Sequence, residues 1–438
     1  MLIKNQLVMV TFLLSLITSN AIAVELSDKS PWPSIRIERI NKLLPQAMKA
    51  AGVDSWLVVC RENNNDPLAD HVGCENAGST AAYLFYFDDA GFHSKVYSPS
   101  SEAKALDELD IHDEVISVPR SDSTLEYVSD FIKQKSFSSV AINVSDSNAQ
   151  ADGLSHSQYK ALIKLLGAEY EKRLVSSEGV VYEWLSIKLP AEVDILRKAA
   201  ELTAKWQVEA YQTIIPGVTT DADVAKFLKA KMSKYGVTDA WASDQNPNVN
   251  SGPDRGHSHA TDKIIMPGDV IQIDFGIRLF DRWVSDIQRF AYVLKAGEHA
   301  APEHIQQYWQ YGRDSGFAAF SAMKPGVTGI EVDAAQSVLM KKNKSEYVMW
   351  STGHPVGYVA HDTGPNLGGS RTATVRPAAQ RKLKEGMVFA FDGFYSWPLD
   401  GKNFKTISVE EMAVITKTGA EYLIPPQQEL ILVGPQKP

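Results

Sequence analysis

The sequence predicts an α+β domain built from a duplicated, pseudo-twofold unit and preceded by a smaller α/β domain. Short strand patterns alternate with helical patterns over residues 24–188, which is typical of an α/β layer structure. In the remainder, residues 189–438, two separate segments each recur once in the same order, which indicates an internal repeat. We place the domain boundary between residues 188 and 189, just before Pro190 begins a long helical pattern.

Composition narrows the class of protein. The chain has 438 residues, of which 44% are hydrophobic and 22% charged, and this suits a soluble protein with two or more domain-sized cores. The formal net charge is -9, and no basic patch is visible. We therefore expect no nucleic-acid partner, because such binding depends on clustered cations. A peptide or small molecule is the expected substrate.

The first 23 residues have the pattern of a secretory signal peptide. Lys4 precedes an apolar run from residue 7 to residue 17, and Ala21-Ile22-Ala23 has the small-x-small form of a cleavage site. The apolar run is shorter than the roughly 20 residues that a membrane-spanning helix needs. We expect cleavage after Ala23 and a secreted or periplasmic mature chain without a membrane span.

Cys60 and Cys74 are the only cysteines. An exported protein can retain a disulfide, and a bridge here would close a loop of about 15 residues, worth about 3 kcal/mol in a chain-entropy description. The alternative is that both cysteines are buried free thiols.

The first domain contains four strand patterns and two amphipathic helical patterns. The strands cover residues 56–59, 82–87, 115–118 and 139–144, and the helices cover residues 124–135 and 157–166.

The second domain opens with a helix over residues 191–215, which Pro216 and Gly217 end, and Thr220 can cap the helix that follows. Residues 216–219 recur at 325–328 and residues 268–276 recur at 386–394, so the offsets are 325 − 216 = 109 and 386 − 268 = 118. Asp274 and Asp392 each follow the first glycine of their segment by six residues. A pseudo-twofold axis would bring these two carboxylates to opposite sides of one site.

Residues 268–276 and 283–293 predict a β-hairpin from their period-two alternation. If the turn is centred near Phe280, Asp274 lies directly opposite Asp286, with Cβ atoms roughly 4.5–5.5 Å apart, where like charges destabilise a sheet. We therefore expect a cation between the two aspartates. Ordinary strand-end and turn aspartates are the alternative.

Two more segments add side chains that can bind metals. His354 and His361 lie seven residues apart in a glycine-punctuated segment. Glu410 and Glu411 fall on opposite faces of the strand over residues 408–415, so one of them must point inward.

Taken in order, these segments resemble the pita-bread metallohydrolases, which include methionine aminopeptidase, aminopeptidase P and prolidase. The preceding domain is similar in layout to the N-terminal domain of aminopeptidase P, prolidase and creatinase. The resemblance implies that two metal ions are bound by five side chains and that two histidines bind the substrate. The implied metal ligands are Asp274, Asp286, His354, Asp392 and Glu410, and the implied substrate-binding residues are His257 and His361, with His259 as a rival for His257.

This chain departs from the family's pattern at two positions. The family usually has glutamate where this chain has Asp392, and arginine where it has Ser408. The first change shortens one ligand by a methylene, and the second removes a cation that would help to hold Glu410.

The implied site suits metal-assisted hydrolysis. Four buried carboxylates beside one imidazole need compensating cations, and this oxygen-rich ligand set suits Mn²⁺, Co²⁺, Zn²⁺ or Fe²⁺ alike. We take Mn²⁺ as the leading expectation. Two such ions about 3.5–4 Å apart lower the pKa of a bridging water from near 16 toward 7. The resemblance further implies that Asp286 and Glu410 bridge the ions, that Asp392 carries the proton to the leaving amine, and that His257 and His361 bind the substrate carbonyl.

The leading hypothesis is an exported metallopeptidase that cleaves Xaa-Pro bonds, because the two-domain form resembles aminopeptidase P and prolidase more than the methionine enzyme. A creatinase-like hydrolase or lyase acting on a small substrate, and a binding module without catalysis, are the alternatives. Arg371 and Arg376 are candidates for holding the C-terminal carboxylate of a dipeptide, with ordinary surface arginines as the alternative. A homodimer is suggested by the resemblance alone.

Overall fold

The computed structural model describes residues 29–74, 79–256, 259–399 and 401–434. The predicted signal peptide and His257 lie outside these residues. Among the residues described, none of the helices combines the length and the apolar character needed to cross a bilayer.

The first half of the chain alternates strands and helices as predicted, and the helix over residues 124–135 is confirmed in full. Ser123 caps it by accepting a hydrogen bond from the backbone N–H of Glu126. A π-helical turn, Arg39–Leu43, separates the first two helices. The elements are α1 (Trp32–Glu38), α2 (Leu44–Ala51), β1 (Ser55–Arg61), β2 (Thr80–Asp88), β3 (Gly91–Pro99), α3 (Ala103–Asp107), β4 (Glu114–Val118), α4 (Thr124–Lys135), β5 (Val140–Ile142), α5 (His156–Leu166), α6 (Ala168–Glu171), β6 (Leu174–Ser176) and α7 (Glu178–Ser186).

The six strands of this half form one mixed sheet in the order β4-β3-β2-β1-β5-β6. Cys60 on β1 and Cys74 after it are buried free thiols, so the disulfide alternative is not found. Burial, followed by the hydrogen bond with Cys74, raises the pKa of Cys60, while the same hydrogen bond lowers the pKa of Cys74.

The second half begins with the predicted long helix and then forms a larger sheet. Its elements are α8 (Pro190–Gln212), α9 (Asp221–Tyr235), β7 (Thr238–Asp239), β8 (Asn248–Ser251), β9 (Val270–Phe275), β10 (Ile277–Leu279), β11 (Trp283–Val284), β12 (Ile287–Val293), α10 (Glu303–Ala322), α11 (Gly329–Lys342), β13 (Gly353–Pro355), β14 (Val388–Pro398), β15 (Phe404–Ile415), β16 (Ala420–Tyr422) and β17 (Ile431–Val433). The large sheet runs β13-β14-β15-β12-β9-β8, with β16 beside β15 and β17 beside β12, and β11-β10-β7 form a small sheet.

The predicted duplication is visible in the backbone. Thr220 and Thr328 each begin a helix with a capping box, and each makes an isolated bridge, to Ile264 and to Lys382 respectively. Each bridged residue precedes by four the glycine that begins a recurring segment. In the large sheet, β9 and β14 flank the central pair β12 and β15, so a pseudo-twofold axis passes between the two central strands.

The predicted hairpin forms, but the predicted pairing of its two strands is wrong. Leu279 pairs with Trp283, and Phe280 and Asp281 both adopt positive φ, at 51° and 54°, which centres the turn one residue later than expected. Asp274 therefore pairs with Gln288 and not with Asp286. The partner of Asp274 has thus moved by two residues, from Asp286 to Gln288. Because side chains alternate between faces with a period of two, Asp286 stays on the same face of the sheet.

One hydrophobic cluster crosses from the first half to the second. It contains Trp56 and Trp184 from the first half together with Trp206, Phe275 and Trp283 from the second. The domain boundary at residues 188 and 189 stays a prediction, but the two halves share this packed core.

Candidate metal centre

A row of polar side chains runs across adjacent strands of the large sheet. Asp274 on β9 pairs with Gln288 on β12, Gln288 pairs with Glu410 on β15, and Glu410 pairs with Asp392 on β14. Directly paired residues on one face hold their Cβ atoms roughly 4.5–5.5 Å apart. The sheet register thus brings three of the predicted ligands into one line.

The other two predicted ligands lie beside this row. Asp286 directly precedes β12, two residues before Gln288, and His354 on β13 pairs with Ala390, which precedes Asp392 by two. One ligand atom from each of Asp286, His354 and Glu410 lies within 4.8 Å of the other two. All five predicted ligands line one cavity of about 760 Å³. We call these five residues the carboxylate site.

His354 is oriented as a metal ligand requires. Its Nδ1 lies 3.2 Å from the carbonyl oxygen of Pro355, so an Nδ1–H donates there. Its Nε2 lies 3.6 Å from Asp286 Oδ2 and 3.8 Å from Glu410 Oε1. A backbone carbonyl that fixes one ring nitrogen leaves the lone pair of the other for a metal.

The electrostatics of the carboxylate site call for cations. Burial, followed by the charges of Asp274 and Asp392, raises the pKa of Asp286 well above its ordinary value. Burial, followed by the charges of Asp286, Asp392 and Asp274, does the same for Glu410. Both shifts mean that the ionised forms are disfavoured without a compensating charge.

The residues present fit divalent metal ions. Glu410 Oε2 is buried and accepts no hydrogen bond. Within the described part of the chain, neither Asp286 nor Glu410 forms an ion pair with lysine or arginine. Oxygen donors with one imidazole are the ligand set that Mn²⁺ and similar ions prefer. Glu411, the alternative inward residue, instead pairs with Arg289 at 2.9 Å.

The residues predicted to bind the substrate differ in where the structure places them. His361 is exposed at the cavity, and its ring lies at 4.2 Å from that of His354, centroid to centroid. His259 is exposed, and His257 lies outside the described residues. Arg371 forms an ion pair with Asp333 at 3.0 Å, whereas Arg376 is exposed at the cavity.

The segment between the two histidines is held from behind by buried charges. Lys188 Nζ lies 3.2 Å from Asp362 Oδ2, which also accepts from the backbone N–H of Tyr358 at 2.9 Å. The Tyr358 hydroxyl donates to Glu192 at 2.5 Å. Gly357 packs against the ion pair of Lys188 and Asp362, and a Cβ there would lie 2.2 Å from Lys188 Cε and displace the lysine side chain.

Arg39 completes this arrangement from the first half of the chain. Its Nη1 lies 2.6 Å from Glu192 Oε2, and both side chains are fully buried. We call Arg39, Lys188, Glu192 and Asp362 the buried ion-pair cluster. Sequence patterns gave no sign of it, because Arg39 and Glu192 are 153 residues apart.

Gln288 is the site residue that sequence reasoning missed. It is buried in the centre of the row, and its amide nitrogen donates to Asp392 Oδ1 at 3.2 Å. The recurring segments carried a signal for it. Asp274 and Asp392 are equivalent in the repeat, so the residue that pairs with Asp274, Gln288, is equivalent to Glu410, which pairs with Asp392. Reading that signal required the correct hairpin register.

A fold of this kind, with a buried carboxylate cluster beside histidines on one cavity wall, is that of a metal-dependent hydrolase. The model of metallopeptidase family M24 matches residues 194–417, just over half of the chain. The chain belongs to this metallopeptidase family.

Two relatives show how far the sequence similarity extends. An Xaa-Pro dipeptidase of Pyrococcus furiosus is 27% identical over 262 residues, which is 59% of this chain and 69% of that protein. The protein named "Probable dipeptidase PepE" of Mycobacterium bovis is 28% identical over 251 residues, 56% of this chain and 60% of that one. The alignments thus span between three fifths and seven tenths of these relatives.

Solved structures share the fold over most of the chain. An X-Pro aminopeptidase from Thermotoga maritima has a TM-score of 0.66 at 21% identity, covering 89% of this chain and 100% of that one. Zinc-substituted Escherichia coli aminopeptidase P has a TM-score of 0.64 at 18% identity, covering 91% and 95%. The predicted pita-bread fold with its α/β N-terminal part is confirmed.

Proposed function

We propose that this chain is a dinuclear-metal hydrolase that cleaves the peptide bond preceding proline in Xaa-Pro substrates. The observation that carries the proposal is the convergence of Asp274, Asp286, His354, Asp392 and Glu410 on one cavity wall, with the pKa of Asp286 and of Glu410 raised by burial and by neighbouring carboxylates. The names of the relatives, Xaa-Pro dipeptidase and X-Pro aminopeptidase, supply the substrate class.

Each side chain has a role that its place in the site supports. Asp286 and Glu410, beside His354, would hold the ions between them, with Asp274 and Asp392 at the outer ends of the row. Two divalent ions bound there supply Lewis-acid activation of water and of the substrate carbonyl. Asp392, which lines the cavity, would carry a proton to the leaving amine, and His361, exposed at the cavity, would donate to the substrate carbonyl.

The length of the substrate depends on the rim of the cavity. Arg371 is committed to Asp333 and to the backbone oxygen of Trp350, so it contributes structure at this edge. Arg376 is exposed at the same cavity and is the better candidate to bind the C-terminal carboxylate of a dipeptide. We further propose that the bound ions are Mn²⁺ and that residues 1–23 direct export of the chain, which is then periplasmic or secreted. We also propose that the chain forms a homodimer.

The test is metal-dependent cleavage by the purified mature protein. We expect hydrolysis of Xaa-Pro dipeptides or of Xaa-Pro-Yaa tripeptides after Mn²⁺ is added to chelator-treated protein, and no hydrolysis of matched Xaa-Ala peptides. Metal content measured on the same sample is expected to approach two ions per chain.

Arg376→Gln with Arg371→Gln as the matched comparison tests substrate length. A dipeptidase role for Arg376 predicts a raised KM for dipeptides in Arg376→Gln and an unchanged KM for tripeptides. Failure of every Xaa-Pro peptide to be cleaved in the presence of bound metal would exclude the proposal and favour a creatinase-like reaction on a small substrate.

A further inference from the structure

Gln288 occupies a position that the pseudo-twofold axis equates with the ligand Glu410. Asp274 and Asp392 stand at the same place in the two recurring segments, and their ladder partners are Gln288 and Glu410. Gln288 and Glu410 also pair with each other across the two central strands. A neutral amide therefore stands where strict symmetry would place a fifth carboxylate.

The amide of Gln288 is held in one orientation. Its Oε1 accepts from Ser408 Oγ at 2.7 Å and from Gln272 Nε2 at 2.5 Å. With the carbonyl end taken by two donors, the Nε2 end faces the acids and donates to Asp392 Oδ1 at 3.2 Å. Because a carboxylate can only accept, this orientation is the one that both ends require.

The reach of this side chain matters for the geometry of the site. Gln288 lies on β12 and Asp392 on β14, so the hydrogen bond passes over the strand that carries Glu410. Gln288 and Glu410 are direct ladder partners, so their side chains lie next to each other on this face of the sheet. One buried donor thus bonds to Asp392 and lies beside Glu410.

We propose that Gln288 is a positioning residue of the metal centre: clamped by Gln272 and Ser408, its amide holds Asp392 in place beside Glu410 for cation binding, a task otherwise suited to a basic side chain. The inference rests on the proposed function, since it assigns Gln288 a role toward the ions that the carboxylate site binds. It also explains how a site with serine at position 408 keeps its acids ordered. Hydrogen bonds from an outer residue to a ligand commonly change metal affinity by about 10–100-fold.

The experiment is a Mn²⁺ titration of chelator-treated protein, with free Mn²⁺ counted by electron paramagnetic resonance. Gln288→Met keeps the length of the side chain and removes its hydrogen bonds. We expect affinity for at least one of the bound ions to fall by about 10–100-fold. Ser408→Ala, which removes one of the two donors to Oε1, is expected to weaken binding in the same direction by a smaller factor.

Gln207→Met is the matched control. The Gln207 amide is also buried, but it donates to the backbone oxygens of Ile273 and Ile287. We expect its Mn²⁺ affinity to match that of the unmodified protein. Adding Ser408→Arg to Gln288→Met should restore part of the lost affinity. Ser408 Oγ lies 2.7 Å from Gln288 Oε1 in the unmodified protein, so an arginine at position 408 starts close enough to reach the same carboxylates.

The outcomes separate this inference from the function on which it rests. Unmodified protein that binds no Mn²⁺ overturns the proposed function. Mn²⁺ binding that is equally strong in the unmodified protein and in Gln288→Met, or equally weakened in Gln288→Met and Gln207→Met, overturns the role of Gln288 alone. Circular dichroism of each metal-free variant shows whether a loss of affinity reflects unfolding.

Discussion

Among the described residues, the buried ion-pair cluster and the carboxylate site differ in how their charges are balanced. The buried ion-pair cluster has two cations and two anions, joined at 2.6 Å between Arg39 and Glu192 and at 3.2 Å between Lys188 and Asp362. The carboxylate site has four acids and one imidazole, and Glu410 Oε2 there accepts no hydrogen bond. A cluster that satisfies its own charges serves the fold, whereas one that does not is prepared for a ligand.

The two clusters lie on either side of one loop. Residues 354–362 carry Tyr358 and Asp362 toward the buried ion-pair cluster, and the histidines at positions 354 and 361 toward the cavity. Balanced charges behind the loop therefore set the position of the groups that face the unbalanced charges. Breaking each cluster separately should produce opposite combinations of effects on activity and stability.

The largest effect is expected from Glu410→Gln. The change keeps the shape of the side chain but removes a carboxylate that lies within 4.8 Å of both Asp286 and His354. Loss of a direct ligand should lower kcat/KM by more than the roughly 10–100-fold typical of outer partners. The melting temperature of the metal-free protein should stay equal or rise, because one repelling charge is gone. A variant with full activity would remove Glu410 from the mechanism.

Arg39→Met should have the opposite combination of effects, with a large loss of stability and a smaller effect on activity. It leaves Glu192 buried without its cation, and such a loss typically costs about 3–5 kcal/mol of unfolding free energy. Urea denaturation measures that cost. The double variant Arg39→Met with Glu192→Gln should recover a large part of it, because no unpaired charge remains. Equal stability of the single and double variants would show that the pair's charge is unimportant.

Much of the fold could be predicted because its signals are local. The helix over residues 124–135 was predicted to its last residue, since Ser123 caps it and its apolar positions repeat with a helical period. The duplication was visible because both copies keep a Pro-Gly turn and a glycine-led strand. These signals depend on neighbours in the sequence.

The parts that could not be predicted depend on distant residues or on unusual turns. Phe280 and Asp281 adopt positive φ although neither is glycine, so the hairpin register was misplaced and Gln288 was overlooked. Gln272 and Ser408 are 136 residues apart and meet only when β12 pairs with β15. No periodicity encodes such pairings, and only the sheet register reveals them.

The smallest expected effect concerns pH and belongs to the surroundings of the buried ion-pair cluster. His71 packs against Trp32, Trp184 and Tyr358. Burial lowers its pKa well below 6.5, and nearby cations, first Arg282 and then Arg39, lower it further. Below pH 6.5 the unfolded chain therefore binds a proton that the folded chain does not.

Above pH 6.5 His71 is neutral in both states and does not make the free energy of unfolding depend on pH. As the pH falls below 6.5, the free energy of unfolding decreases by about 1.4 kcal/mol per pH unit because of this residue. Urea denaturation between pH 7.5 and pH 5 measures the slope. His71→Phe keeps an aromatic ring among the same neighbours and should flatten the acid side by about that amount. An unchanged slope would mean that His71 is protonated in the folded protein, and that the cluster's acids, Glu192 and Asp362, balance one more cation than the ion pairs show.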